Sequence, residues 1–204
     1  MNPIVNEEGR PYRSELRARQ AASTRERILD ATVRVMAEGL ADLTVPAVAR
    51  AAGVSIPTVY RNFRTKRDLL AGLQPYLQQR ARIDPGALPS SIDELRDTLV
   101  SLIGGMEGLD DVMRAALASP AGEEARRVHA PRRFALARAV ADAVASDLSG
   151  ADRDRVARLL VVLTSSSALR MWRDHLGLSV DETADEIDRS IRALIAVSGA
   201  EASR

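Results

Sequence analysis

The stretch from Val45 to Phe63 constrains the fold of this chain most, because it joins two short helical patterns through a glycine. Its first half places apolar residues three and four apart, which is the spacing of one helix face. Gly53 can take the left-handed conformation that ends many helices. Ser55 can then cap a second helix with its hydroxyl, and Pro57 fits the first turn, where a missing N–H costs little. The stretch therefore predicts a helix-turn-helix.

The second of these helices has two different faces. Val59 and Phe63 are four residues apart and should pack inward. The side chains left to point outward are polar, aromatic or basic: Thr58, Tyr60, Arg61 and Asn62. A short helix with such an outer surface is suited to reading the major groove of DNA.

The residue content argues against several other classes of protein. The 204 residues include no cysteine, which excludes disulfides, thiolate metal sites and a thiol nucleophile, and they include only two histidines. We find no Gly-rich phosphate loop, nucleophile elbow or metal motif, so we expect no cofactor and no enzyme activity, and a helical enzyme is the weakest alternative. No apolar run approaches the roughly 20 residues that cross a bilayer, and the N-terminus lacks a signal-peptide core. We expect a cytoplasmic protein without a membrane partner.

The net charge of +1 is unevenly distributed. Residues 1–82 carry 14 Arg and Lys against 8 Asp and Glu, whereas residues 83–204 carry 15 against 20. The basic first part is therefore expected to meet a polyanion. Within it, residues 1–22 are interpreted as a flexible basic arm, which either enters a minor groove or is a solvated tail. The arginines of this arm are Arg10, Arg13, Arg17 and Arg19.

Helix signals continue on both sides of the central stretch. The sequence Ser23-Thr24-Arg25-Glu26 fits a capping box and should begin the first helix, which Gly39 ends. Thr44 should cap the next helix, and Thr65 the fourth. The amide groups that open the fourth helix, together with Lys66, could bind a phosphate.

The motif G-V-S-I-P-T-V-Y-R-N-F followed by R-T-K-R-D-L-L, after a capped helix, resembles the DNA-binding domain of the TetR family of transcriptional regulators. The resemblance covers about Ser23 to Leu73, and the rest of the chain is similar to the family in length and helical pattern only. It implies phosphate or sugar contacts for Thr44, Ser55, Thr58, Tyr60 and Lys66. It implies base-edge contacts for Ile56, Pro57, Arg61 and Asn62. Chemistry allows Arg61 to pair with guanine and Asn62 with adenine, and equally allows Arg61 to contact a phosphate.

The fold that follows is all-α, with two domains. Residues 23–72 are expected to form a three-helix helix-turn-helix DNA-binding domain, and residues 73–204 a larger helical ligand-binding and dimerisation domain. In the larger domain we predict a helix from Ser91 to about Met106 that Gly104 and Gly105 break. One uninterrupted helix should span about 151–176, and the last helix should begin after Ser179.

An apolar stripe on the last helix has two interpretations. Its members step by four and three residues: Val180, Ala184, Ile187, Ile191 and Leu194. Such a stripe can pack on the core of its own chain. The resemblance instead implies a four-helix bundle with a second copy, so we expect homodimerisation through roughly 151–198, with the stripe as its interface.

The resemblance also implies a mainly apolar pocket for an unidentified small-molecule effector in the larger domain. The candidate lining residues are Met106, Met113, Phe134, Leu163, Ser166, Arg170 and Trp172. Each of them could equally belong to the hydrophobic core.

We therefore predict a homodimeric repressor. Its two recognition helices would bind double-stranded DNA at a palindromic operator, in major grooves roughly 34–36 Å apart. Effector binding would favour a dimer that no longer matches this spacing. The alternative is a regulator that binds DNA and dimerises without any effector.

Overall fold

The computed structural model describes residues 9–39, 43–84 and 86–202, and all the regular structure in these ranges is helical. The ten helices are α1 (Gly9–Ala37), α2 (Val45–Ala52), α3 (Ile56–Asn62), α4 (Lys66–Arg80), α5 (Ile92–Glu107), α6 (Asp111–Ala118), α7 (Pro120–Val144), α8 (Gly150–Leu163), α9 (Ser166–Asp174) and α10 (Val180–Ala202). The all-α prediction, with an N-terminal helix-turn-helix and a larger helical part after it, is confirmed.

The helix-turn-helix follows from local chemistry. The Thr44 hydroxyl accepts a hydrogen bond from the Ala47 amide at the start of α2. Gly53 ends α2 in the left-handed region at φ 63°, and Ser55 caps α3 by accepting from the Thr58 amide. Thr65 and Asp68 form a reciprocal capping box at the start of α4. These four predictions hold.

The first helix begins earlier than predicted. It starts at Gly9, so Ser23 and Thr24 lie inside α1, and residues 9–22 are helical where an irregular arm was expected. Ser23, the predicted cap, is an interior residue of this helix, and the hydroxyl of the neighbouring Thr24 donates to the Gln20 carbonyl one turn back, at 2.9 Å. Residues 9–22 include four Arg and three Ala, which favour helix without any tertiary contact. Residues 1–8 of the predicted arm lie outside the described residues.

Two further helix boundaries differ from the predictions. Helix α5 continues through Gly104 and Gly105 to Glu107. The single helix expected over 151–176 is two helices, α8 and α9, which meet at Thr164 and Ser165. The Thr164 hydroxyl donates to the Leu160 carbonyl, and the Ser165 hydroxyl accepts from the Ala168 amide, so one helix ends and the next is capped within two residues.

Two main hydrophobic cores hold the helices together. The first joins the helix-turn-helix to α6 and the start of α7, and its members include Ile28, Val48, Val59, Phe63, Leu70, Met113 and Ala125. The second lies among α5, α7, α8, α9 and α10 and includes Leu99, Ile103, Val156, Leu169 and Ile187. Because α6 packs along α1, the DNA-binding helices rest directly on the larger part of the chain.

The apolar stripe of α10 faces this second core. Ala184, Ile187 and Ile191 are fully buried, and Val180 and Leu194 are partly buried beside them. Helix α10 packs these residues against α5 and α8 of the same chain. The prediction that this stripe forms the dimer interface is therefore wrong for its central residues. Ala184, Ile187 and Ile191 have no exposed surface with which to contact a partner.

No helix within the described ranges is both long and apolar enough to span a bilayer.

Candidate nucleic-acid interface

Helix α3 presents the residues that the sequence assigns to DNA. Its inward side chains, Val59 and Phe63, are 1% and 3% exposed. On the same helix Ile56 and Tyr60 are 42% and 47% exposed, although both are large and apolar in part. Pro57 and Arg61 are also exposed. The burial pattern leaves one face of α3 free for a ligand.

Arginines of α1 fix the turn from behind. Arg25 stacks on the Phe63 ring, with its guanidinium carbon 4.1 Å from the ring centroid, and donates to the Asn62 carbonyl at 2.9 Å. Arg27 donates to the Ala52 carbonyl at 2.8 Å. These contacts bind the free carbonyl ends of α2 and α3, and they hold the outer face of α3 in a fixed orientation. Sequence reasoning missed them, because they join residues that are 25 and 37 positions apart.

Hydrogen bonds within α3 and its cap already engage the Asn62 side-chain amide and the Ser55 and Thr58 hydroxyls. The side-chain amide of Asn62 donates to the Thr58 carbonyl at 2.8 Å, and Asn62 is only half exposed. The Ser55 and Thr58 hydroxyls lie 2.9 Å apart. Arg61 reaches the Thr58 hydroxyl at 3.4 Å, a distance that leaves most of its donors unused. Of the predicted base-edge residues, Ile56, Pro57 and Arg61 are thus the ones whose side chains are available.

Lys66 lies at the start of α4 and has a partner that the sequence does not indicate. Its ammonium nitrogen is 2.7 Å from Glu124 Oε2, on α7, and both side chains are about two-fifths exposed.

Thr44 is exposed at the start of α2. Of the predicted arm, Arg17 and Arg19 are exposed on the outer surface of α1, while the side chains of Arg10 and Arg13 lie outside the described residues.

The structure divides the predicted pocket residues between a cleft and the two cores. Met106, Ser166 and Arg170 line one cleft, formed by α5, α6 and α9. Met113 is buried in the first core, and Phe134, Leu163 and Trp172 pack against the second. Most of the surface of the cleft is apolar, and three arginines and a glutamate also line it: Arg114, Arg170, Arg173 and Glu107.

Comparison with known proteins adds a family to this geometry. Residues 28–73 match the family model described as bacterial regulatory proteins, tetR family. The uncharacterized HTH-type transcriptional regulator TtgW from Pseudomonas putida is 37% identical over 68 residues, which make up 33% of this chain and 51% of that protein. The chain thus spans about half the length of the curated relative that it matches. This relative is described as a regulator and not as an enzyme.

Solved structures share the fold over most of the chain. NalD of Pseudomonas aeruginosa, the secondary repressor of the MexAB-OprM multidrug efflux pump, has a TM-score of 0.56 at 21% identity, over 85% of this chain and 96% of NalD. A transcriptional regulator from Rhodococcus sp. Rha1 has a TM-score of 0.55 at 22% identity, over 85% of this chain and 97% of that protein. At such low identity these likenesses concern the fold alone. The family match and the aligned relative show that the helix-turn-helix part of this chain, within residues 28–73, is similar to the DNA-binding part of tetR-family regulatory proteins.

Proposed function

We propose that this chain is a homodimeric repressor that binds a palindromic operator through α3 and is released from it by a small-molecule effector. The observation that carries the proposal is the outer face of α3, where Ile56, Tyr60 and Arg61 are exposed while Val59 and Phe63 are buried. These large side chains are exposed to solvent, and the contacts from α1 hold their helix in place. Such a helix is suited to insertion into a major groove.

An exposed apolar surface on α8 and α10 supports the dimer. Leu159 and Val162 on α8 are 37% and 59% exposed, and Val197 on α10 is 57% exposed. The two helices pack against each other, and we call the side of the pair that carries these three residues the α8/α10 face. Exposed apolar side chains on neighbouring helices favour an interaction site. A second copy of the chain, with the same face turned towards the first, is the occupant that a palindromic operator requires.

The link between an effector and DNA is proposed to run through α7. Near its beginning Glu124 reaches Lys66 of α4, and one turn later His129 Nε2 lies 2.9 Å from the Leu70 carbonyl, also on α4. Between them Arg126 donates to the Ser166 hydroxyl at 3.1 Å, beside the cleft. A ligand in the cleft that shifts α7 would therefore move α4 and the helix-turn-helix with it. Release then depends on how differently the ligand binds the two arrangements.

The sign of regulation is proposed from fold and precedent. NalD, which shares this fold, is a repressor of the MexAB-OprM efflux pump. Occupation of an operator blocks transcription without any further partner, so repression needs nothing beyond the surfaces described above.

The test is selection of bound sequences from random double-stranded DNA, followed by fluorescence anisotropy on the selected site over a salt series. We expect a palindrome, and we expect Tyr60→Ala to weaken binding about fivefold through one lost hydrogen bond per half-site. The slope of log affinity against log salt concentration should also become shallower in Lys66→Ala, by about one counterion per lost phosphate contact. In Tyr60→Ala this slope should not change. Arg189→Ala, on the exposed side of α10, serves as the control for loss of a positive charge. Binding that is indifferent to sequence, or unaffected by Tyr60→Ala, would contradict the proposal.

A further inference from the structure

The cleft between α5, α6 and α9 combines apolar walls with positive charge. The cleft is partly open, and its empty space of about 440 Å³ includes the part that opens to solvent. Met106, Leu117 and Leu169 supply the apolar surface. They come from three different helices, so the cleft exists only in the folded chain.

The carboxylate in the cleft is already neutralised. Arg173 Nη1 lies 3.2 Å from both carboxylate oxygens of Glu107. Asp174, Glu107 and their hydrogen bonds hold the pKa of Arg173 above its ordinary value, so this arginine is a fixed cation with two partners. Arg114 donates to the Glu107 and Leu109 carbonyls and pairs with Asp111. Glu107 therefore has no charge to offer a further cation.

Arg170 differs from the other two arginines. Within the described part of the chain its guanidinium makes no hydrogen bond or ion pair, and the side chain is exposed at the cleft. Its charge acts on Asp174, one turn along α9, whose pKa is lowered mainly by Arg173 and in part by Arg170. A guanidinium offers five donors in a planar fork, and in Arg170 all of them are available. The fork matches the two oxygens of a carboxylate in length and plane.

Two further arginines lie on α7. Arg126 donates to the Leu117 carbonyl at 2.6 Å and to the Ser166 hydroxyl, both of them cleft residues, and its charge is paired with Glu123 of its own helix at 2.6 Å. Arg133, two turns along the same helix, donates to the Val161 carbonyl at 3.1 Å and pairs with no carboxylate of the described residues. Burial, and then the charge of Arg126, lower the pKa of Arg133. A half-buried cation without a counter-ion is unfavourable, and an anion bound nearby would relieve it.

We infer that this cleft binds a small organic carboxylate, whose charged group pairs with the Arg170 guanidinium and whose carbon skeleton lies against Met106, Leu117 and Leu169. The inference rests on the proposed function, since it names the chemical class of the effector. It adds a group that selects for negative charge to the mainly apolar pocket expected from the sequence.

The test uses DNA-free protein, so that it does not depend on operator binding. The probes are butanoate, hexanoate, octanoate and benzoate, each compared with its neutral primary amide and with inorganic phosphate at equal ionic strength. A ligand that binds only the folded state raises the melting temperature. We expect at least one carboxylate to raise it while its amide and phosphate do not. Titration calorimetry should then show at least a tenfold weaker Kd for Arg170→Gln and a smaller loss for Arg170→Lys, which keeps the charge without the fork.

Arg132→Gln is the matched control, because Arg132 is also exposed and also lacks an ion pair within the described residues. It should bind the carboxylate as the wild type does.

The inference is overturned if no carboxylate raises the melting temperature more than its amide does, if phosphate binds equally well, or if Arg170→Gln leaves the Kd unchanged. Carboxylate binding without any effect on DNA would instead contradict effector release and leave the site intact. Release of DNA by a neutral compound alone would support the regulator and reject the carboxylate.

Discussion

The ammonium group of Lys66 lies 2.7 Å from the carboxylate of Glu124, although the family resemblance assigns this side chain to a DNA phosphate. The two roles compete, because a carboxylate beside Lys66 both occupies its charge and repels a phosphate arriving there. Partly exposed ion pairs of this kind contribute about 0.2 to 1 kcal/mol. Glu124 is therefore expected to weaken DNA binding by a comparable amount.

We predict that Glu124→Gln tightens operator binding by about twofold to fivefold. Anisotropy titrations of both single variants and the double variant form a cycle that isolates the contribution of the pair. In the Lys66→Ala background the glutamine substitution should have little effect. Asp97→Asn, at an 88% exposed side chain on α5, controls for the loss of one negative charge. An effect of Glu124→Gln that persists without Lys66 would point to long-range charge and contradict the pair.

At the scale of elements, α7 is the helix that joins the cleft to the DNA-binding part. Its residue His129 contacts α4 through the Leu70 carbonyl, which can only accept a hydrogen bond, so Nε2 must carry the proton. Burial lowers the pKa of His129, and the charges of Arg132 and Arg133 lower it further, against the opposing effect of the Leu70 bond. The packed α4–α7 contact therefore holds a neutral imidazole.

This gives the stability of the fold a defined pH dependence. The unfolded chain binds a proton at His129 near the ordinary pKa of about 6.5, whereas the folded chain resists protonation until a lower pH. Between these two values the unfolded state holds more protons, so the free energy of unfolding should fall as the pH drops below about 6.5. Urea unfolding from about pH 7.5 to about pH 5 should show the fall in the wild type and much less of it in His129→Gln. His175→Gln, at the exposed end of α9, should behave as the wild type does. An identical pH profile in His129→Gln would exclude this contact as the cause.

The helical elements were predictable where the signal was local. Gly53, Ser55 and Thr65 act within a few residues of their own position, and each does what its residue type indicates. The failures involve the same residue types. A hydroxyl can accept from an amide ahead of it, as Ser165 does, or donate to a carbonyl one turn behind, as Thr24 does. The sequence does not choose between these bonds, so one helix was begun too late and another was not divided.

The candidate sites were likewise predictable where the signal was local and not where it depended on the packing of distant helices. The exposed face of α3 follows from helical spacing alone. The pairing of Lys66 with Glu124 and that of Arg173 with Glu107 depend on how distant helices pack, so neither could be predicted from the sequence. The same holds for the α10 stripe, whose spacing fits either its own core or a partner chain.

At the scale of the whole molecule, the surface that we propose for a second copy of the chain is the α8/α10 face rather than that stripe. Val162 is 59% exposed and lies three residues from Leu159 on the same side of α8. A charge at this position costs the isolated chain little, since the side chain is in solvent there. In a dimer the same charge would be buried against its own copy across the two-fold axis, without a counter-ion.

We predict that Val162→Glu keeps the helical content and thermal unfolding of a folded chain but sediments as a monomer at concentrations where the wild type is a dimer. Its affinity for the full palindrome should fall about tenfold or more, because the second recognition helix no longer binds as part of the same particle. Its affinity for an isolated half-site should equal that of the wild type, because α3 is untouched. Val112→Glu, at a 45% exposed valine on α6, makes the same chemical change on another surface and should remain dimeric. If Val162→Glu stays dimeric while Val112→Glu dissociates, the chains associate through the surface of α6. In that case the two α3 helices would be related differently, and the half-site spacing of the selected palindrome would have to differ from roughly one helical turn.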